Sequence, residues 1–208
     1  MPEFTTRDPA QAAFWDERFA ANFTPWDQGA VPPALVRWLA RAPLAPGARV
    51  LIPGCGSAYE AAFLDAAGLD VLSIDIAEAA LARARAALPP DVADRVLRRA
   101  DFFAFAAAPF DAIYERAFLC ALPPRLWPGY AARCAALLKP EAPLAGFFFV
   151  DPAPPEPRRG PPFAMSRAEL DALLAPAFEC AEDEPISPGE SIAVFAGRER
   201  WMVWRRRD

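Results

Sequence analysis

The residues with the clearest chemical potential lie at the ends of four apolar runs. The first run, in "RVLIPGCGSAYEAAFL" (Arg49–Leu64), passes through Gly54-Cys55-Gly56 and then takes on a helical pattern. Glycines at such a turn let the backbone approach a ligand with no Cβ in the way, and the helix behind them offers free N–H groups. The place of a third glycine in the dinucleotide pattern is filled by Tyr59, followed by Glu60. The second run, "LDVLSIDI", ends near Asp75, nineteen residues after Gly56. A carboxylate there can accept hydrogen bonds from both hydroxyls of an adenosine ribose, and it can equally start the helix that follows. Ile76 and Ala77 carry no positive charge for a ribose 2′-phosphate, which counts against NADP. Asp101-Phe102-Phe103 closes a third run. An acid and an aromatic there can bind an adenine amino group and cover its ring, or simply end a strand in the core. The fourth run ends in Tyr114-Glu115-Arg116, where Arg116 can hold a carboxylate bidentately or pair at the surface.

What is missing narrows the chemistry. The 208 residues contain no histidine, which removes Ser-His-Asp and Cys-His arrangements and the usual zinc sites. The four cysteines (Cys55, Cys120, Cys134, Cys180) form no C-x-x-C pair, so structural thiols are expected and no metal site is assigned. Acid–base work falls to carboxylates, Tyr, Lys, Cys or the substrate itself. A net charge of −5 and a pI near 4.9 argue against a general nucleic-acid binder. The terminal "WRRRD" is read as a solvated strand end. "MPEFTTRDPA" lacks the basic-then-apolar order of a secretion signal, and no apolar run reaches the length of a membrane span, so a soluble, cytoplasmic chain is expected, with no membrane partner.

These strand ends need a scaffold. "PAQAAFWDERFAAN" (9–22) reads as an amphipathic helix, and "FTPWDQGAVPPAL" as a Pro/Gly-rich loop bearing Trp26. A helix near Pro33–Ala42 completes an appended arm over residues 1–45. From residue 48 strands and helices alternate. Strands are expected at 49–52, 69–76, 94–101, 110–115 and 143–151, with helices to about Ala67, over 77–88 and over 128–138. The 25 prolines fall mostly between periodic segments, and Pro89-Pro90 is read as a helix terminator. Continuous apolar strands alternating with helices imply an α/β fold: a parallel sheet covered by helices on both faces. After the helix "SRAELDALLA", runs at 178–186 and 199–206 can pair as an antiparallel hairpin. One domain spanning 1–208, with the arm packed on it, is expected.

The ordered set of pieces resembles the thiopurine S-methyltransferase family of class I S-adenosylmethionine-dependent methyltransferases. The matching stretches are "FWDERF…FTPWDQGAVPPAL", "VLIPGCGSAYE", "SIDIAEAALARA", "ADFF", "YERAFLCALPP" and "GPPFAMSRAEL". Most class I methyltransferases carry an acid just before G-x-G. Here Ile52-Pro53 stands there, as in that family. The resemblance implies a Rossmann-like, doubly wound seven-stranded sheet, order 3-2-1-4-5-7-6, with one antiparallel strand. It implies S-adenosyl-L-methionine as cofactor, held by Trp15, Phe19, Trp26, Gly54, Gly56, Glu60, Asp75, Ile76, Asp101, Phe102 and Arg116. Phe19 stands where many relatives have Trp.

The activity implied is methyl transfer to a small-molecule acceptor, a thiol or other soft nucleophile. Such an in-line displacement asks the protein to position and desolvate, so no acid–base catalyst is assigned, and Arg116 and Trp26 are positioning candidates. Arg116, Phe118, Phe163, Arg158 and Arg159 are candidates for the acceptor side. An NAD-dependent oxidoreductase shares G-x-G and Asp75. Against it stand Tyr59 at the third-glycine place and the lack of a Tyr-x-x-x-Lys, Lys139 being the only lysine. A non-catalytic cofactor-binding or interaction protein is the third reading.

Overall fold

The computed structural model describes residues 3–187 and 189–208. Seven strands form one sheet in the order β3-β2-β1-β4-β5-β7-β6. They are β1 (Arg49–Pro53), β2 (Asp70–Asp75), β3 (Leu97–Arg99), β4 (Ala112–Arg116), β5 (Pro143–Phe149), β6 (Phe178–Pro185) and β7 (Glu199–Arg206). The pairs β1–β2, β2–β3 and β4–β5 are parallel, while β7 runs antiparallel to both β5 and β6. The expected strand order and closing hairpin are therefore present. By its internal contacts the chain divides into two compact units, one ending at Phe105 and one from Ala106 to Asp208.

In the first unit, helices α1 (Ala12–Ala20) and α2 (Pro33–Arg41) precede β1. Helices α3 (Tyr59–Ala66), α4 (Glu78–Ala87) and α5 (Pro90–Val96) follow. β1 and β2 carry near-continuous apolar side chains because parallel strands are covered on both faces, and Leu51, Ile74, Ala80, Leu81 and Val96 are fully buried. The third strand departs from expectation. The run 94–101 was expected to be a strand, yet its first part belongs to α5. Pro90 sits in the first turn of α5, where a missing N–H costs nothing and the fixed φ suits a helix. The two prolines thus end one helix and open another, and β3 keeps only three residues.

In the second unit, α6 (Trp127–Leu137) and α7 (Arg167–Leu174) accompany β4 to β7. Ser166 and Glu169 form a reciprocal capping box at the start of α7. β4 and β5 approach so closely at Gly146 that an added Cβ would stand 1.9 Å from the Glu115 carbonyl oxygen. The basic C-terminus is more than a solvated end. The Arg206 guanidinium donates to Leu138 O at 2.5 Å, and Arg207 Nε donates to Ala175 O and Phe178 O, both at 3.2 Å. Leu138 and Ala175 cap α6 and α7. Cations there complement carbonyl-rich helix ends.

Candidate cofactor site

The glycine turn is built from left-handed residues. Gly54, Gly56 and Ala58 have φ of 58°, 52° and 54°. The first two pay nothing for this conformation, whereas Ala58 carries a strain of order 1–2 kcal/mol. Cys55 N–H donates to Ile74 O at 3.1 Å, stitching the turn to β2. α3 then begins at Tyr59, and its inward positions are Glu60, Ala61 and Leu64, all buried, while Tyr59 is only partly covered. This is the local reason a tyrosine is tolerated where a dinucleotide loop needs glycine. Ala58 and Ala61 on either side of Tyr59 are themselves buried. Glu60 lies in the first turn of α3, where the helix dipole favours a carboxylate.

Asp75 organises the turn. Its Oδ2 accepts from Gly56 N–H at 3.0 Å, and its Oδ1 accepts from Ala77 N–H at 2.9 Å. It does not cap α4 as an N-cap residue would, since that position is Ala77. Asp75 is 8% exposed, and burial raises its pKa against the opposing pull of the Ala77, Gly56 and Ile76 N–H groups. Gly56 N–H and Ala77 N–H bond different oxygens, which leaves the carboxylate acceptor capacity for a hydroxyl. Ile76 is half-buried, and its carbonyl accepts from Arg99 Nε at 3.3 Å.

The arm brings its aromatics to this turn. Trp26 stands edge-on to Trp15 (5.6 Å) and Phe19 (6.0 Å), and the three rings pack with Ala77, Ala79 and Ala80 at the start of α4. A Cβ on Gly56 would lie 3.5 Å from the Phe19 ring, in ordinary contact. Trp15 donates to Pro9 O at 2.8 Å. Asp16 Oδ1 accepts from Ala79 N–H at 2.8 Å, supplying α4 with a cap from α1. Trp15, Phe19, Trp26, Gly56 and Asp75 thus converge on one turn, with Gly54, Ile76 and Glu60 beside it. At the end of β3, Asp101 is exposed and accepts from Phe103 N–H at 2.9 Å, while Phe102 is buried with Phe103 edge-on at 5.4 Å.

Arg116 belongs to the second unit. Its guanidinium lies 4.9 Å from the centroid of the Phe147 ring, and Glu199 feels its charge. Glu115, on the adjacent position of β4, is 1% exposed and accepts from Phe118 N–H (3.0 Å) and Leu119 N–H (3.1 Å). Burial pushes its carboxyl up to about 7. Phe163 N–H donates to Cys120 O at 2.7 Å, so Phe163 joins the turn that carries Phe118. Arg158, a candidate for the acceptor side, is engaged within the chain. It pairs with Glu156 (2.8 Å) and Glu169 (2.5 Å) and donates to Ala164 O (2.7 Å). Arg159 is exposed.

Sequence reasoning missed Asp27, Ser57, Asp16 and Glu115. Asp27 and Ser57 adjoin Trp26 and Gly56, so neighbouring polar residues were the available signal. Among the described residues no cluster of three His, Cys, Asp or Glu side chains is placed to hold a metal, and no helix is long and apolar enough to cross a membrane.

Comparison with known proteins identifies the family. The family model for thiopurine S-methyltransferase matches residues 10–207. A thiopurine S-methyltransferase of Pseudomonas paraeruginosa is 35% identical over 211 residues, covering 93% of this chain and 94% of that protein. Thiocyanate methyltransferase 1 of Arabidopsis thaliana is 26% identical, covering 92% and 84%. Among solved structures, the 1,6-didemethyltoxoflavin-N1-methyltransferase of Burkholderia thailandensis, with bound S-adenosylhomocysteine, has the same fold at a TM-score of 0.74 and 20% identity, covering 100% and 94%. The oxidoreductase and non-catalytic readings fall away. The chain is an enzyme of the thiopurine S-methyltransferase family, a class I methyltransferase that uses S-adenosyl-L-methionine.

Proposed function

We propose that this enzyme methylates a small, sulfur-centred or similarly soft nucleophile in the cytoplasm. Two relatives are named for thiopurine and thiocyanate, both sulfur-bearing acceptors. The absence of histidine fits an acceptor that needs no imidazole base, such as a thiolate. S-adenosylmethionine, when bound, supplies an electrophilic methyl on a cationic sulfur. The chain's own residues bind, orient and dry the reacting pair. Asp75 would receive the ribose hydroxyls, Gly54 and Gly56 would admit the backbone close to the ligand, and Asp101 with Phe102 would meet the adenine. Trp15, Phe19 and Trp26 would form an aromatic wall, worth about 0.5–2 kcal/mol of cation–π attraction where a ring faces a cation. Arg116 would orient either the acceptor or the cofactor's carboxylate. Residues 1–45 would serve as a lid that excludes water.

The observation that carries the cofactor assignment is the Asp75 carboxylate bonded to Gly56 N–H at 3.0 Å, an acceptor locked to the glycine turn. Thermal shift tests it. A site near 100-fold saturation adds roughly 2.7 kcal/mol, so S-adenosylhomocysteine should stabilise the protein and NAD should not. Turnover with a panel of thiols, thiocyanate, amines and alcohols tests the acceptor. Methylation confined to nitrogen or oxygen acceptors would overturn the soft-nucleophile reading.

A further inference from the structure

Asp27 and Ser57 are thirty positions apart in the chain, and the Ser57 hydroxyl donates to Asp27 Oδ2 at 2.5 Å. Ser57 follows Gly56 and is buried. Asp27 follows Trp26 and is held rigidly. Its N–H donates to Thr24 O at 3.0 Å, and its Oδ1 accepts from Gly29 N–H at 2.9 Å. Arg83 of α4 braces the same corner, donating to Thr24 Oγ1 at 3.1 Å and standing 3.5 Å from Asp27 Oδ2. The Asp27 side chain is 9% exposed, so the arm buries a carboxylate to make this contact. Burying a charge is unfavourable unless its bonds are made, and the aromatic cluster alone could dock an arm.

The glycine turn is therefore gripped at two successive residues by two carboxylates. Asp75 of β2 takes the Gly56 N–H, and Asp27 of the arm takes the Ser57 hydroxyl. We propose that Asp27 is a positioning residue for methyl transfer: through Ser57 it sets the shape of the cofactor turn, so that docking of segment 23–31 and cofactor binding form one coupled equilibrium. Linkage then works in both directions. A cofactor that requires the gripped turn strengthens arm docking by the same factor by which the docked arm strengthens cofactor binding. The inference rests on the glycine turn being the cofactor site.

The test uses Ser57→Ala, Asp27→Ala, the double variant and Ser57→Thr, with S-adenosylhomocysteine affinity by calorimetry and limited proteolysis within residues 20–33. Each alanine variant should weaken binding about tenfold, as loss of a charge-assisted hydrogen bond would. The double variant should be no weaker than either single one, since both remove one shared contact. Ser57→Thr keeps the hydroxyl and should bind within about twofold of the parent. Cleavage of the ligand-free arm should accelerate in the alanine variants, and the ligand should protect them less. Unchanged affinity in both single variants, or fully additive losses in the double one, would overturn the coupling. If Asp27→Ala fails to fold, the Ser57→Ala and Ser57→Thr pair decides alone. Failure of the parent to bind S-adenosylhomocysteine at all would instead sink the cofactor reading beneath it.

Discussion

Asp75 and Glu115 are the same kind of group in the same kind of place. Each is a buried carboxylate at the carboxyl end of a parallel strand, and each accepts two side-chain-to-backbone hydrogen bonds. They differ in where the donors come from. Those of Asp75 lie nineteen residues before it and two after it, so it cross-links two segments. Those of Glu115 lie three and four residues ahead, so it closes its own turn, whose Ala117 is left-handed at φ 59°. Glu115 Oε1 has no hydrogen-bond partner among the described residues. Desolvation with only local donors lifts the Glu115 carboxyl to about 7. A residue's strand-end position therefore does not define its work. A long-range carboxylate shapes a loop and a local one holds a turn, while burial raises the pKa of both.

Gly146→Ala attacks the Glu115 end through the backbone. No rotamer change relieves a Cβ placed 1.9 Å from a carbonyl oxygen. A loss upward of about 3 kcal/mol, or failure to fold, is expected in chemical denaturation. Wild-type stability would mean β4 and β5 can separate there freely.

Glu115→Gln sharpens the comparison through pH. The carboxyl's ordinary value is 4.5, and its folded value is about 7. Between those values the folded chain keeps a proton that the unfolded chain has lost. The stabilisation is full below about 4.5 and disappears as pH rises to about 7, a fall of roughly 3 kcal/mol. The glutamine variant should lack that portion of the slope, whatever its offset, when unfolding is measured from pH 5 to 8. Parallel slopes in the two proteins would remove Glu115 as the cause.

Asp75→Ala should weaken S-adenosylhomocysteine binding at least about tenfold, or 1.4 kcal/mol, while the fold survives. Unaltered affinity by calorimetry would take Asp75 out of the site. The smallest expected effect is a control that touches neither strand end. Ser166→Ala removes the cap of α7, formed by a 3.2 Å bond from Glu169 N–H. It should cost about 1 kcal/mol with no change in cofactor affinity.

Much of this was legible in the chain itself, for physical reasons. Parallel strands are apolar on both faces, so β1, β2, β4 and β5 announce themselves as continuous runs bounded by glycine and acid. Positive φ and close approach favour Gly54 and Gly56, which marks the turn. Proline misled at β3, since Pro90 is compatible with both ending one helix and starting the next. The partners of Arg158 were not legible, since nothing local reveals that Glu169 and Ala164 O would meet it.

The sequence by itself determined the α/β alternation, the glycine turn and the acid nineteen residues beyond it. These follow from side-chain period and backbone sterics, which act over a few residues. Only the tertiary structure decided that Asp27 meets Ser57, that Asp16 caps a helix far along the chain, and that two strand-end carboxylates draw their donors from different places. Those outcomes depend on which donors arrive from elsewhere and how much water they displace, and neither is set until the segments pack.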